Sequence, residues 1–136
     1  MVYITRREHF NAAHKLHNAK WTDAENLQRF GKCANPNWHG HNYNLFVTVK
    51  GEIDPDTGYA INLKDLSVII REHVTDKLDH KNLNLDVAFM KDIMPSTENV
   101  AIAIWNQLQS HVEKMGGQLH CVKLYETENN FVEYFG

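Results

Sequence analysis

Three histidines of the chain are spaced so that they could hold one metal ion. His39 and His41 lie two residues apart, directly before a segment with strand-like alternation. Residues two apart in an extended chain point to the same side, so both imidazoles can face one point. His14 ends the preceding predicted strand and meets them if the two strands pair as a hairpin. Three histidines with an open fourth position are typical of a catalytic zinc site.

A cysteine and an acid–base pair add candidate groups for proton transfer. Cys33 lies six positions before His39, in a predicted loop beside the metal site. A cysteine there could be a metal ligand, a nucleophile or a general base, and the residues alone leave these roles open. Asp79 and His80 are adjacent in a predicted loop, which places an acid beside a base as a proton shuttle requires. Cys121 lies inside a predicted strand, where a free cysteine is expected to act as a small apolar side chain.

Two glutamates differ in what their surroundings predict. Glu126 shares one face of a predicted strand with Val122 and Leu124. A carboxylate on an apolar face is costly unless donors bind it, and a ligand with adjacent N–H groups, such as a guanidine-like ring edge, would bind it bidentately. Glu98 lies in the first turn of a predicted helix, where the helix dipole already favours a negative charge.

The elements that must position these residues follow from hydrophobic periodicity. Strand patterns cover residues 2–10, 43–50, 119–127 and 131–135, and residues 21–31 indicate a long connection with a helical turn. Between the two strand pairs, two helical stripes begin at Asn62 and after the N-cap segment 95–97, and the second ends at Gly116. This ββααββ order predicts an α+β fold, a four-stranded antiparallel sheet with two helices on one face. Because the sheet has two open edges, we expect subunits to associate through them.

The composition limits the classes of protein that the chain can be. Its 136 residues, 43% hydrophobic and 23% charged, predict one domain over residues 1–136. A net charge of -3 argues against a nucleic-acid partner bound through phosphates. No apolar run reaches the roughly eighteen residues that a membrane span needs. The two cysteines are too few for a disulfide scaffold and no export signal is evident, so we expect a cytoplasmic protein.

Histidine is over-represented, with 9 residues against 7 glycines. Four histidines are candidates for chemistry above. The other five have no partner at metal-binding spacing, and we expect surface or core-edge positions for them. They are His9, His17, His73, His111 and His120.

Six segments together resemble the 6-pyruvoyl-tetrahydropterin synthase / 6-carboxytetrahydropterin synthase family. They span nearly the whole chain in the family's order, at residues 10–14, 31–33, 39–43, 78–83, 97–100 and 125–127. The resemblance implies the tunnelling fold, in which the sheets of three subunits join into a β-barrel. Two trimers then stack into a homo-hexamer with active sites at the subunit interfaces.

The resemblance also implies roles for the site residues. A zinc ion would be held by His14, His39 and His41 and would act as a Lewis acid on the substrate side chain. Cys33 would be the general base, with Asp79 and His80 of another subunit as its relay partners.

The implied substrate is a pterin carrying a triphosphate. Glu126 would anchor the pterin ring, and Thr97 and Glu98 would line the same pocket. The implied reaction, a carbon–oxygen lyase reaction, converts 7,8-dihydroneopterin triphosphate to 6-pyruvoyl-tetrahydropterin with elimination of triphosphate, on the way to tetrahydrobiopterin. No nicotinamide or flavin is implied, and no glycine-rich dinucleotide loop is present. Lys32 and Arg29 are candidates for holding the triphosphate.

A sister branch of the family makes 6-carboxy-5,6,7,8-tetrahydropterin for queuosine biosynthesis. Five residues separate Cys33 from His39, whereas that branch commonly has three, which favours the pyruvoyl branch. Three positions depart from the pyruvoyl pattern: Trp38 replaces a usual glycine, Lys15 a frequent arginine and Asn84 a frequent aspartate. The carboxy branch therefore stays as the alternative.

Two other classes are compatible with three histidines. A zinc hydrolase would want a carboxylate near the metal-bound water, and none follows His41 within a few residues. A non-catalytic pterin-binding module has no physical need for Cys33, Asp79 and His80 together.

Overall fold

A five-stranded sheet is the main element of the computed structural model, which describes residues 1–136. The strands are β1 (Val2–His14), β2 (His39–Gly51), β3 (Lys81–Asn82), β4 (Gln118–Tyr125) and β5 (Phe131–Tyr134), in the order β3-β1-β2-β4-β5. Four of them form the predicted antiparallel sheet. The fifth, β3, pairs with β1 in parallel and was not predicted, since a two-residue strand carries no readable period.

The helices confirm the predicted α+β fold and add detail to it. They are α1 (Asp23–Phe30), α2 (Leu63–Ile70), α3 (Asp76–Leu78) and α4 (Thr97–Lys114), with a π-helical turn (Arg71–Thr75) joining α2 to α3. Ser96 caps α4, within the N-cap segment that the sequence indicates, and Asn62, where the helical period begins, caps α2. The segment predicted as a connection with one helical turn contains the two-turn helix α1, because Thr22 and Glu25 form a reciprocal capping box.

The hydrophobic core lies between the sheet and the helices α2 and α4. It is one cluster of 24 buried side chains to which β1, β2, α2, α4 and β4 all contribute. At its centre the rings of Phe10 and Tyr43 stack with their centroids 4.8 Å apart. Burial on this face therefore fixes which side of β1 and β2 points inwards.

The two edges of the sheet are open in the single chain. Strand β3 covers β1 only at Ala12 and Ala13, and β5 lies at the opposite edge without a further partner. The sheet does not close on itself, so the barrel and the hexamer remain predictions. None of the helices combines the length and the apolar character that crossing a bilayer requires.

Strand register brings one end of β1, one end of β2 and one end of β4 together. His14 lies opposite His39, and Ala12 lies opposite His41. On the other side of β2, Asn44 pairs with Tyr125, the last residue of β4. The residue that follows β4 therefore emerges beside the histidines of β2.

Candidate metal centre

The imidazoles of His14, His39 and His41 meet at the end of the β1–β2 hairpin. Their ring centroids lie 4.6 Å apart for His14 and His39, 5.0 Å for His14 and His41, and 4.8 Å for His39 and His41. The rings are steeply inclined to one another, at 61°, 83° and 90°. One ligand atom from each, and a carboxylate oxygen of Glu126, all lie within 4.8 Å of one another. The juxtaposition that the sequence predicts for the three histidines is present.

The nitrogens of this cluster fit a metal ion. His14 Nε2, His39 Nδ1 and His41 Nε2 are buried and have no hydrogen-bond partner in the chain. Buried polar atoms in native proteins are almost always paired, so three orphaned nitrogens on the three grouped histidines call for a ligand. Three imidazoles with an adjacent carboxylate are a donor set that suits zinc.

A backbone carbonyl orients His14 for this purpose. His14 Nδ1 donates to the carbonyl oxygen of Pro95 at 2.7 Å, and His14 is only 1% exposed. Because Nδ1 carries the proton, Nε2 keeps its lone pair for a metal. The Tyr43 hydroxyl lies 3.5 Å from the same Nδ1.

Electrostatics at the site favour neutral imidazoles. Burial, followed by the like charge of His14, lowers the pKa of His39 below its usual 6.5, although the Glu126 carboxylate acts in the opposite direction. Burial also lowers the pKa of His41, again against the effect of Glu126. Neutral histidine is the metal-binding form.

Glu126 lies in the cluster rather than on the strand face alone. It follows the last residue of β4, and its Oε1 is 2.8 Å from His41 Nε2 and 3.4 Å from His14 Nε2, without hydrogen-bond geometry to either. Thr97 Oγ1 donates to Oε2 at 2.9 Å. Sequence analysis missed the approach of Glu126 to the histidines, and the β2–β4 register is the signal that would have found it. Its carboxylate is thus able to reach a metal, a ligand or both.

Thr97 and Glu98 differ although they are neighbours. Thr97 is the first residue of α4 and is buried against Glu126. Glu98 is exposed and makes no ion pair or hydrogen bond through its carboxylate. Of these two, only Thr97 is part of the cluster within one chain.

Cys33 lies beside the histidines without joining them. Gly31, with φ +58, ends α1 and opens the 3₁₀ turn Gly31–Ala34 that carries Cys33. The Cys33 carbonyl accepts from the Leu16 N–H at 2.8 Å, and its thiol is partly buried. Its sulfur is not among the four grouped ligand atoms. Burial, then the charges of Glu126 and Cys33, raise the pKa of Tyr43.

Asp79 and His80 form an acid–base pair at the outer edge of β1. Asp79 Oδ2 lies 2.9 Å from His80 Nδ1, and its Oδ1 accepts from the Asn11 N–H at 2.8 Å. The His80 N–H donates to the Asn11 carbonyl at 2.6 Å, while its imidazole is 78% exposed. The Asn11 N–H, and then His80, hold the pKa of Asp79 below its usual value despite partial burial. Neither residue bonds to the thiol of Cys33 within one chain.

Aromatic rings hold two cations, one next to a metal ligand in the chain and one in α1. Lys15 Nζ lies 4.6 Å from the ring centre of Trp38, and the Arg29 guanidinium lies 4.5 Å from that of Trp21. Lys32 is exposed. Trp38 has φ +59, a conformation that glycine adopts without strain.

The other five histidines lie outside the cluster. His9 and His17 are exposed, and His120 packs against Tyr3. His73 and His111 stack with their centroids 3.8 Å apart and their planes 15° apart, a contact that the sequence did not predict.

Comparisons with known proteins agree with this geometry. The family model described as 6-pyruvoyl tetrahydropterin synthase matches residues 3–136. A protein of Pongo abelii named 6-pyruvoyl tetrahydrobiopterin synthase is 51% identical over 133 residues, 98% of this chain and 90% of that protein. The solved structure of Caenorhabditis elegans 6-pyruvoyl tetrahydropterin synthase matches with a TM-score of 0.92 and 41% identity, over 99% of this chain and 95% of that one. A Bacillus subtilis protein named 6-carboxy-5,6,7,8-tetrahydropterin synthase is 28% identical over 76% of this chain and 70% of its own length.

Proposed function

The chain belongs to the 6-pyruvoyl tetrahydropterin synthase family, and on this premise we propose that it is a zinc-dependent enzyme of that activity. It converts 7,8-dihydroneopterin triphosphate to 6-pyruvoyl-tetrahydropterin and eliminates triphosphate, which makes it a carbon–oxygen lyase. The observation that carries the proposal is the set of three buried, unpartnered imidazole nitrogens on histidines grouped with Glu126.

The metal ligands in this proposal are His14, His39 and His41. Zinc, when bound there, would supply Lewis acidity that polarises a side-chain hydroxyl of the substrate and acidifies the neighbouring C–H. The Pro95 carbonyl keeps His14 in the tautomer that presents Nε2. Burial keeps His39 and His41 neutral, which is the form that binds a cation.

Cys33 is the proposed general base for the acidified C–H. Cys33 is partly buried, and its carbonyl accepts from the N–H of Leu16, two residues after the ligand His14. Its sulfur is not among the grouped ligand atoms. A thiolate at this position takes the proton from carbon and passes it on. Asp79 and His80 of another subunit would be the relay, since within one chain they bond to β1 and leave the His80 imidazole exposed.

Glu126 is the proposed anchor for the pterin ring. Its Oε2 is already held by the Thr97 hydroxyl, and a carboxylate fixed in this way can accept two N–H donors from a 2-amino pterin edge. Thr97 thus orients the anchor, and Glu98, exposed on the next position of α4, would line the same pocket from its rim.

Assembly completes the proposed site. We propose a homo-hexamer built from two trimers, supported by the open edges at β1 and β5 and by the exposure of the Asp79–His80 pair. The whole chain then acts as one pterin synthase domain, supported by its one core cluster. A cytoplasmic location is supported by two free thiols, which a reducing compartment keeps unpaired.

A second candidate is 6-carboxy-5,6,7,8-tetrahydropterin synthase. The relative of that name in Bacillus subtilis, and Trp38 directly before a metal ligand, favour keeping it. A bulky ring at the rim of the site could change which product leaves.

Product identification tests the proposal. The zinc-loaded chain is incubated with dihydroneopterin triphosphate, and the pterin and phosphate products are identified by mass spectrometry. We expect 6-pyruvoyl-tetrahydropterin and triphosphate in equal amounts, with none formed after chelation of the metal. A 6-carboxy product assigns the chain to the second candidate. Tight pterin binding without any product indicates a binding module, and metal-dependent ester hydrolysis that survives Cys33→Ala indicates a zinc hydrolase.

A further inference from the structure

Lys15 and Trp38 occupy the positions just beyond the metal-ligand pair His14 and His39. The register of β1 with β2 ends where His14 lies opposite His39. Lys15 follows the last residue of β1, and Trp38 precedes the first residue of β2. Lys15 Nζ lies 4.6 Å from the centre of the Trp38 ring. An ammonium at this distance over an indole face is attracted by the ring quadrupole. The Lys15–Trp38 pair therefore closes the end of the hairpin that carries two of the three ligands.

The backbone of Trp38 adopts an unfavourable conformation beside this contact. Its φ is +59, in the left-handed region that is unfavourable for a bulky side chain. Its N–H donates to the Asn35 carbonyl at 3.1 Å, which fixes the turn before β2. Strained residues of this kind persist where the surrounding structure holds them, and they concentrate at functional sites.

The main chain of Lys15 is fixed independently of Trp38. The Lys15 N–H donates to Asn84 Oδ1 at 2.9 Å, and Asn84 Nδ2 donates to the Lys15 carbonyl at 3.0 Å. One amide side chain thus pairs both main-chain groups of Lys15. The ammonium is presented to the ring from a rigid base.

The indole is placed by its ring face and not by its N–H. Trp38 Nε1 is buried without a hydrogen-bond partner in the chain. The ring face, in contrast, faces the ammonium of Lys15.

A contact at the hairpin end can keep the metal ligands in their binding arrangement. The Pro95 carbonyl holds His14 through Nδ1, whereas His39 Nδ1 has no hydrogen-bond partner in the chain, and strand ends open more easily than strand centres. A site whose binding-competent arrangement is only partly populated binds its ligand more weakly by that fraction. We infer that the Lys15–Trp38 pair positions His14 and His39 for the metal, so that its loss lowers metal affinity without removing a ligand. This inference rests on the proposed metal centre.

Zinc affinity measured on the full chain tests the inference. Lys15→Met, Trp38→Leu and the double variant are compared with the unaltered chain by competition for Zn²⁺ with a chromogenic chelator. We expect each single variant to weaken zinc binding about three- to fivefold, the size of a partly exposed cation–π contact. The double variant should bind zinc with about the same affinity as the single variant that binds it less tightly. Lys15→Arg keeps the cation and should retain the zinc affinity of the unaltered chain.

A second cation–π contact in the chain provides the control. Lys123 Nζ lies 4.2 Å from the centre of the Phe131 ring, on β4 and β5. Lys123→Met should leave zinc affinity unchanged, and the melting temperatures of the metal-free Lys15 and Lys123 variants should agree. Three results would overturn the positioning role but not the metal centre. They are unchanged zinc affinity in Lys15→Met and Trp38→Leu, effects that add in the double variant, and an equal loss of zinc affinity in Lys123→Met. An unaltered chain that binds no zinc would overturn the metal centre itself, and the positioning role with it.

Discussion

Two groups of histidines in this molecule have opposite arrangements. At the end of the sheet, the rings of His14, His39 and His41 stand edge to face with their centroids 4.6 to 5.0 Å apart. Between the π turn and α4, the rings of His73 and His111 lie flat on each other, 3.8 Å apart. Steeply inclined rings can aim their nitrogens at one point, whereas parallel rings present theirs side by side.

Charge separates the two groups as clearly as orientation. The Glu126 carboxylate lies against the nitrogens of His14 and His41, where it favours a cation. The groups that act on His111, after burial, are His73, Lys114 and Lys77, and all of them oppose a cation. The same residue type therefore supplies a candidate metal centre in one place and only packing in the other.

The largest expected difference between the groups is in metal content. His41→Ala removes one of three ligands, so zinc affinity should fall by more than the 10- to 100-fold typical of outer-shell partners. His111→Ala, the matched change in the stacked pair, should leave the zinc content unaltered. Elemental analysis of the purified proteins measures both, and full zinc occupancy in His41→Ala would contradict the chelate.

The next largest effect is a loss of turnover without a loss of metal at the three-histidine site. Cys33→Ala should lower turnover about 10²- to 10⁴-fold, the usual contribution of a general base, and should retain zinc and pterin binding because its sulfur is not among the grouped ligand atoms. Steady-state kinetics with dihydroneopterin triphosphate and elemental analysis measure the two properties. Cys121→Ala is the control for thiol removal away from the site. Zinc loss in Cys33→Ala would show that the thiol is a ligand.

A smaller effect is expected from the carboxylate that distinguishes the two groups. Glu126→Gln keeps the shape of the side chain but loses its charge, so pterin affinity should fall about 10- to 100-fold, as expected when a charged hydrogen-bond partner is lost. Titration with a pterin that cannot react measures the affinity. The exposed Glu128 provides the control, Glu128→Gln, which should bind pterin normally. If zinc affinity falls and pterin affinity does not, Glu126 serves as a metal ligand and not as the ring anchor.

The smallest effect concerns the pH dependence of stability at the stacked pair. Burial, and then the charges of His73, Lys114 and Lys77, lower the pKa of His111 below 6.5. The unfolded chain therefore takes up this proton first as the pH falls below 6.5, and stability is lost in that direction. His111→Gln should reduce the loss of unfolding free energy at low pH by about half a kcal/mol or less, because the site is near the surface. The plot of unfolding free energy against pH becomes flatter. Urea unfolding at a series of pH values measures it, and an unchanged slope would show that His111 titrates normally.

The sequence alone predicts that His14, His39 and His41 come together, because side chains alternate along a strand with a fixed period. His39 and His41 must face one side of an extended chain, and hairpin pairing brings His14 opposite them. The site therefore depends on local geometry and a single strand pairing. The cap of α4 in segment 95–97 was predictable for a similar reason, since a cap depends only on neighbouring residues.

Contacts that depend on how distant segments pair or pack could not be predicted from the sequence. Glu126 reaches the histidines because β4 pairs with β2 in one particular register. His73 meets His111 only through the relative rotation of two helices and the π turn between α2 and α3. Glu8 is another case: it is 8% exposed and is held by Arg6, by Ser67 of α2 and by Arg71 of the π turn. Burial favours its protonated form, but these partners outweigh burial and keep the pKa of Glu8 below 4.5.

The π turn at Arg71–Thr75 restricts how the length of this region can vary among related chains. The segment begins at the fixed cap Asn62 and ends where His80 bonds to Asn11, so both of its ends are tied to the rest of the fold. Deleting one residue from the turn would restore α-helical pitch but rotate everything after it by about 100°. Asp79 and His80 would then leave the edge of β1. Insertions and deletions should therefore accumulate in the loop at residues 52–60, and the spacing from Asn62 to His80 should stay constant.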